Sequence, residues 1–129
     1  YISFSGATKN TKLAIEKVKI ILAQDAERGK KIDLAMEESV NTMNLALNEA
    51  EFNQAMTLAE AAIHQAGDCF EAWGLISPPL KAHRQWLLDK GALAVKPTGA
   101  GIGGYMLSLW REPLSAAELS AWQLTPLFH

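Results

Sequence analysis

The chain has 129 residues, of which 49% are hydrophobic and 20% are charged, as is typical of one soluble domain with a sizeable core. Its net charge of -2 argues against a nucleic-acid or anionic-membrane partner, and no apolar run reaches the roughly 18 residues of a membrane span. The single cysteine, Cys69, excludes an internal disulfide, and no signal peptide is visible, so a cytoplasmic location is expected. Because the chain begins at Tyr1 within a strand-like run, we expect it to be part of a longer protein.

A short strand, residues 1–5, precedes two predicted helices. The first helix is capped by Asn10 or Thr11 and is expected to end near Gly29, since glycine is a usual C-cap residue. The second helix runs from about residue 30 to 48. Its apolar residues recur at intervals of three and four and predict one buried face, formed by Ile32, Met36, Val40, Met43 and Leu47.

The sequence predicts two further helices. Asn48 and Glu51 resemble a capping box that opens the third helix, and Gly74 is expected to end it. Ser77 is expected to cap the fourth helix, with Pro78 at the first helical position. Gly91 is expected to end this fourth helix.

A glycine-rich loop lies between two predicted strands, residues 92–95 and 105–110. Four of the chain's nine glycines fall within six residues of this loop, at positions 99, 101, 103 and 104. Exposed N–H groups in such a loop can bind an anion, and a plain hairpin turn without a ligand is an equal alternative. The match to G-x-G-x-x-G is rejected, because a dinucleotide fingerprint opens a helix and this loop leads into a strand. As a surface hairpin, the loop is expected to accept Gly101→Val with little loss of stability.

Two more elements complete the chain. Ser115 and Glu118 form a capping box that opens a short helix, and residues 123–128 are predicted as a last edge strand, where Pro126 is tolerated. The order of strands and helices predicts an α+β fold in a single domain, residues 1–129, with an antiparallel sheet covered by helices on one face.

Three segments of the sequence resemble the GHMP kinases. The run Thr98-Gly-Ala-Gly-Ile-Gly-Gly is similar to the family's third motif, Thr-Gly-Ala-Gly-Gly-Gly-Gly-Cys. The run Lys-Asn-Thr-Lys at residues 9–12 resembles the start of the first helix in the C-terminal domain of mevalonate kinases, and residues 74–80 are similar to a helix junction of the family. Ile102 and Tyr105 depart from the pattern, because the family has glycine and a small residue or cysteine at these positions.

The resemblance implies a ferredoxin-like α+β fold and the ATP- and Mg²⁺-dependent phosphorylation of the C5 hydroxyl of mevalonate, a step of isoprenoid precursor biosynthesis. The nucleotide-binding loop and the catalytic residues would lie in an N-terminal domain that this chain lacks, so the chain would hold no catalytic residue and would be inactive alone. The partners would be that domain, a mevalonate-like substrate and, as an open alternative, a second copy of the chain. The implied substrate- and phosphate-binding residues are Thr98, Gly99, Ala100, Gly101, Gly103, Gly104, Asn10 and Thr11.

Two alternative functions stay open at this point. The acceptor could be phosphomevalonate or another small alcohol, because acceptor contacts come largely from the missing domain. The chain could instead be a non-catalytic anion-binding or interaction module, since Ile102 and Tyr105 add bulk to the loop. His64 and Cys69 are five residues apart and show no metal-ligand spacing with each other or with the remaining histidines, so no metal site is expected.

Overall fold

The computed structural model describes residues 1–127 and has the predicted α+β architecture. No helix in this range is long and apolar enough to cross a membrane. In chain order the elements are β1 (Ile2–Phe4), α1 (Thr11–Gln24), α2 (Ala26–Asn48), α3 (Phe52–Ala72), α4 (Pro78–Asp89), β2 (Ala94–Pro97), β3 (Tyr105–Leu109) and α5 (Ala116–Trp122).

The strands form an antiparallel sheet in the order β1–β3–β2. Met106 on β3 lies opposite both Ser3 on β1 and Pro97 on β2, so these three side chains point to the same face of the sheet. Helix α4 packs on this face, where its Leu80 and Leu87 are fully buried in one apolar cluster with Met106. The predicted antiparallel sheet with a helical cover is therefore confirmed.

The predicted last strand is reduced to a single bridge. Thr125 and Ile2 each donate a backbone hydrogen bond to the other, with N···O distances of 2.9 Å. Pro126 follows directly and cannot extend the ladder with its own N–H, because proline has none. Phe128, the last residue of the predicted strand, lies outside the described residues.

The predicted helix boundary at Gly29 is wrong, because the break lies at Asp25. The N–H of Asp25 donates to the carbonyl of Ile21 at the end of α1, and its carboxylate accepts from the N–H of Arg28 at the start of α2. Aspartate is among the best N-cap residues, so this one side chain ends one helix and begins the next. Gly29 is buried inside α2, where a Cβ would lie 2.5 Å from the side chain of Leu22.

Helix α2 is buried along a stripe that matches the predicted one only in part, since Ile32 is buried and Met36 and Met43 are half-buried. Ile32, Ser39 and Ala46 are buried, whereas Val40 is 62% exposed and Leu47 is 78% exposed. Helix α3 packs along α2, and small side chains such as serine and alanine allow two helices to approach closely. The prediction used only the spacing of large apolar residues, so it missed small buried residues such as Ser39 and Ala46 and assigned Val40 and Leu47 to the core.

The predicted capping box at the start of α3 is wrong as well. Glu51 is itself the N-cap, and its carboxylate accepts from the N–H groups of Asn53 and Gln54 at 3.0 and 2.7 Å. Asn48 is the last residue of α2 and does not cap α3. A carboxylate in this place is favoured by the partial positive charge of the helix N-terminus. The second capping box, at Ser115, is confirmed.

Two basic side chains tie α1 and α2 to the end of α3. Lys17 donates to the carbonyl of Gly74 at 3.1 Å, and Arg28 donates to the carbonyl of Ala72 at 3.0 Å. The last carbonyls of a helix lack partners within the helix and carry partial negative charge, so both cations are well placed. Gly74 ends α3 as predicted, with φ at +74°. These contacts position the junction between α3 and α4, against which the glycine loop packs.

Candidate functional site

The glycine loop, residues 98–104, is closed at its base and tied to the segment after β1. The N–H and the hydroxyl of Thr98 both donate to the carbonyl of Tyr105, each at 3.0 Å. The N–H of Gly104 donates to the carbonyl of Ala7 at 2.9 Å. The hydroxyl proton of Thr98 is thus engaged within the loop, and the residue acts by positioning the backbone.

The middle of the loop packs against the junction between α3 and α4. The N–H of Ile102 donates to the carbonyl of Leu75 at 2.6 Å, and the hydroxyl of Ser77 donates to the carbonyl of Ile102. Ser77 is the N-cap residue of α4 with a proline following, as predicted, but its hydroxyl holds the loop and makes no side-chain cap. Ile102 has φ at +68°, which β-branched residues rarely adopt. Its two backbone hydrogen bonds and the packing of its side chain against the core cluster that contains Trp73 and Leu75 offset this strain.

Two glycines of the loop are buried, which contradicts the expectation of a surface hairpin. A Cβ on Gly101 would lie 2.8 Å from the carbonyl oxygen of Leu75 and 3.2 Å from the ring of Phe70. A Cβ on Gly103 would lie 2.5 Å from the carbonyl carbon of Thr8. Gly101→Val should therefore disturb the fold, and it cannot separate a binding role from a packing role.

Four amides of the loop have no hydrogen-bond acceptor among the residues that the structure describes, and two of them belong to Gly99 and Ala100, which are not buried. The N–H groups of Gly99, Ala100, Gly101 and Gly103 donate to no acceptor within residues 1–127. Gly99 is exposed, has φ at +64° and has open space where a Cβ would stand. Consecutive unpaired amides in a loop of this kind are suited to binding an anion.

The start of α1 adds two more amides next to this loop. Asn10 is the N-cap, and its side-chain oxygen accepts from the N–H of Leu13 at 3.0 Å. Of the two predicted caps, Asn10 is therefore the one used, and Thr11 is exposed as the first residue of the helix. The N–H groups of Thr11 and Lys12 donate to no acceptor within the described part of the chain. A helix N-terminus of this kind favours phosphate through its free amides and its dipole.

An apolar cavity of about 460 Å³ lies where the loop meets the helices. Its volume is in the range of small-molecule sites. The glycine loop and the first turns of α1 thus meet around one cavity, but of the predicted site residues only Gly99 and Ala100 line it. The lining includes Ala14 and Val18 of α1, Phe70 and Trp73 of α3, and Gly99 and Ala100 of the loop.

A comparison with known protein families matches most of this chain. Residues 43–123, more than half of the chain, match the family described as GHMP kinases C terminal. The chain belongs to the GHMP kinase C-terminal family. The resemblance inferred from the three sequence segments is thereby confirmed at the level of the family.

A solved structure with the fold of this GHMP kinase domain is that of L. major mevalonate kinase in complex with R-mevalonate. Its TM-score is 0.73 at 20% sequence identity, and the match covers 95% of this chain. The chain spans 35% of the length of that protein chain. A search of curated proteins found no match.

The two departures from the GHMP motif have packing roles in this domain. Ile102 packs against the core cluster that contains Leu75. Tyr105 is 51% exposed, and its ring is tilted against the ring of Phe4, with the two ring centres 5.4 Å apart. Sequence reasoning missed the carbonyls of Leu75 and Thr8 as supports of the loop. Because these are backbone groups, no residue type marks them in the sequence.

Proposed function

We propose that this chain is the C-terminal domain of an ATP-dependent kinase, and that the glycine loop and the start of α1 bind the phosphoryl group during its transfer to a small alcohol. The observation that carries this proposal is the placement of four unpaired loop amides beside a helix N-terminus with two more. Mevalonate is the leading acceptor, and the likeness of the fold to a mevalonate kinase with R-mevalonate supports it.

The chain would contribute positioning and charge neutralisation, which account for most of the catalysis of phosphoryl transfer. The loop amides would hold the phosphate oxygens, and Lys9 and Lys12, both exposed around the start of α1, would add positive charge. No cluster of three or more His, Cys, Asp or Glu side chains that could hold a metal ion occurs within residues 1–127. By the family resemblance, the Mg²⁺ that accompanies ATP would belong, with the nucleotide site and the catalytic residues, to an N-terminal domain.

A direct assay tests this division of roles. In a coupled assay with ATP, the full-length protein should phosphorylate mevalonate, whereas residues 1–129 alone should give no turnover above the blank. Phosphomevalonate and other small alcohols, tested in parallel, identify the acceptor. Turnover by the short chain would contradict the proposed division, and a full-length protein inactive on every acceptor would favour the anion-binding module instead.

Asn10 and Thr11 allow helix capping to be separated from binding. Asn10→Ala removes the acceptor for the Leu13 N–H and should lower the free energy of unfolding by about 1 kcal/mol. Thr11→Ala leaves this cap in place. It should raise KM for the acceptor by about tenfold, the cost of one hydrogen bond to a charged group, with little change in KM for ATP or in melting temperature. An unchanged acceptor KM in Thr11→Ala would remove Thr11 from the site.

A further inference from the structure

A second cavity, of about 390 Å³, lies between α2 and α3 and shares only Met36 with the cavity beside the glycine loop. We call it the α2–α3 groove. Its lining is mostly apolar, and Lys96 of β2 is the one charged residue in it. The other residues used below are Val40, Met43 and Leu47 of α2 and Ile63 and Ala66 of α3.

The apolar walls of the α2–α3 groove differ in exposure. Ile63 and Ala66 are buried and form its inner side, whereas Val40 and Leu47 are largely exposed at its outer side. Exposed side chains of this size remain in contact with water unless something covers them. A hydrocarbon chain placed between the two helices would remove this apolar surface from water, which is the main favourable term in such binding.

Lys96 is a half-buried cation that forms no ion pair within residues 1–127. Its ammonium group donates to the carbonyl of Pro97 at 3.1 Å and lies 5.7 Å from the centre of the Phe70 ring. Burial lowers the pKa of Lys96, because the charged form loses hydration. A charge removed from water without a counter-charge is costly, so the groove is complementary to an anion.

We propose that the α2–α3 groove binds a small amphiphile, a hydrocarbon chain of medium length that ends in a single carboxylate. The chain lies against Val40, Met43 and Ile63, and the carboxylate pairs with Lys96. One lysine matches the single charge of a carboxylate, whereas a phosphate monoester carries a charge of about -1.5 to -2. This site is independent of the proposed kinase function, since it uses neither the glycine loop nor the start of α1.

Decanoate is the probe for this site, titrated into the full-length protein by isothermal calorimetry. It should bind once per chain and about tenfold more tightly than decanol, which lacks the charge. Lys96→Met should weaken decanoate by about tenfold and leave decanol unchanged. Tighter binding of decyl phosphate than of decanoate would overturn the assignment of a carboxylate.

A pair of variants on α2 keeps the test independent of Lys96. Val40→Glu places a negative charge in the groove at an exposed position, so the fold should tolerate it and decanoate should bind at least tenfold more weakly. Leu34→Glu is the matched control, because Leu34 lies on the same helix, is 59% exposed and does not line the groove. Equal decanoate binding by the two variants would overturn the proposal. The proposal would also be overturned if the unmodified protein did not bind decanoate and Val40→Glu, but not Leu34→Glu, had a lower melting temperature. In that case another part of the protein would cover the groove.

Discussion

Replacing Gly99 with valine should lower kcat/KM of the full-length protein for ATP-dependent phosphorylation by more than about 100-fold, or about 2.7 kcal/mol of transition-state stabilisation. A Cβ at this position meets no atom within 4 Å, so the side chain would project into the space beside the unpaired amides and not into the fold. Because Gly99 has φ at +64°, the backbone would also be strained, at a cost of roughly 1–2 kcal/mol. Steady-state kinetics and thermal melting measure the two effects separately.

Gly6→Val is the matched control for this variant. Gly6 is exposed, has φ at +81° and likewise has no atom within 4 Å of a Cβ, but it lies outside the glycine loop. Both variants therefore carry similar backbone strain and should lose similar amounts of stability. If kcat/KM falls equally in both, or is unchanged in Gly99→Val, the loop does not bind the phosphoryl group. Gly101→Val is not suitable for this test, because Gly101 is buried and a side chain there would also disturb the fold.

Gly103→Ala should have the largest effect on stability, a loss of about 3 kcal/mol in the free energy of unfolding. The added Cβ would overlap the carbonyl group of Thr8 and would lie 2.8 Å from the carbonyl oxygen of Ala7. These are backbone atoms, which cannot rotate away as a side chain can. The loop and the segment after β1 would have to separate, and the hydrogen bond from the N–H of Gly104 to Ala7 would be lost.

Gly99→Ala serves as the control for Gly103→Ala. Its methyl group meets no atom within 4 Å, so only the strain of a positive φ remains, at about 1 kcal/mol. Equilibrium unfolding in urea of the full-length variants gives both free energies. Losses that agree within error would show that the contact between the loop and Thr8 contributes little to stability.

Several features of this fold could be predicted from the sequence because they depend on neighbouring residues. The capping box of Ser115 and Glu118 joins groups three residues apart, and the positive φ of Gly74 and Gly91 marks the ends of α3 and α4. Such signals act within one helical turn, so the local sequence determines them. The family could likewise be predicted, because the run that begins at Thr98 is a continuous motif.

Helix boundaries were harder to predict where two suitable residues lie close together in the sequence. Gly29 and Asp25 are both suitable residues for a helix boundary, and only the contact of Gly29 with Leu22 shows that this glycine serves packing. Asn10 and Thr11 are both good caps, and the hydrogen bond to Leu13 selects Asn10. In each pair, both residue types are suitable for the helix boundary or cap, and only the three-dimensional structure shows which residue is used.

By itself, the sequence determined the family, the α+β class and most helix ends of this protein. Only the tertiary structure decided which faces are buried and what supports the glycine loop. Ile102 is held by the carbonyl of Leu75, and Gly103 packs on the carbonyl of Thr8, across long separations in the chain. Every residue carries a backbone carbonyl, so no pattern of side chains can reveal which ones meet the loop. The packing of α3 on α2 and of the loop on the α3–α4 junction determines these contacts.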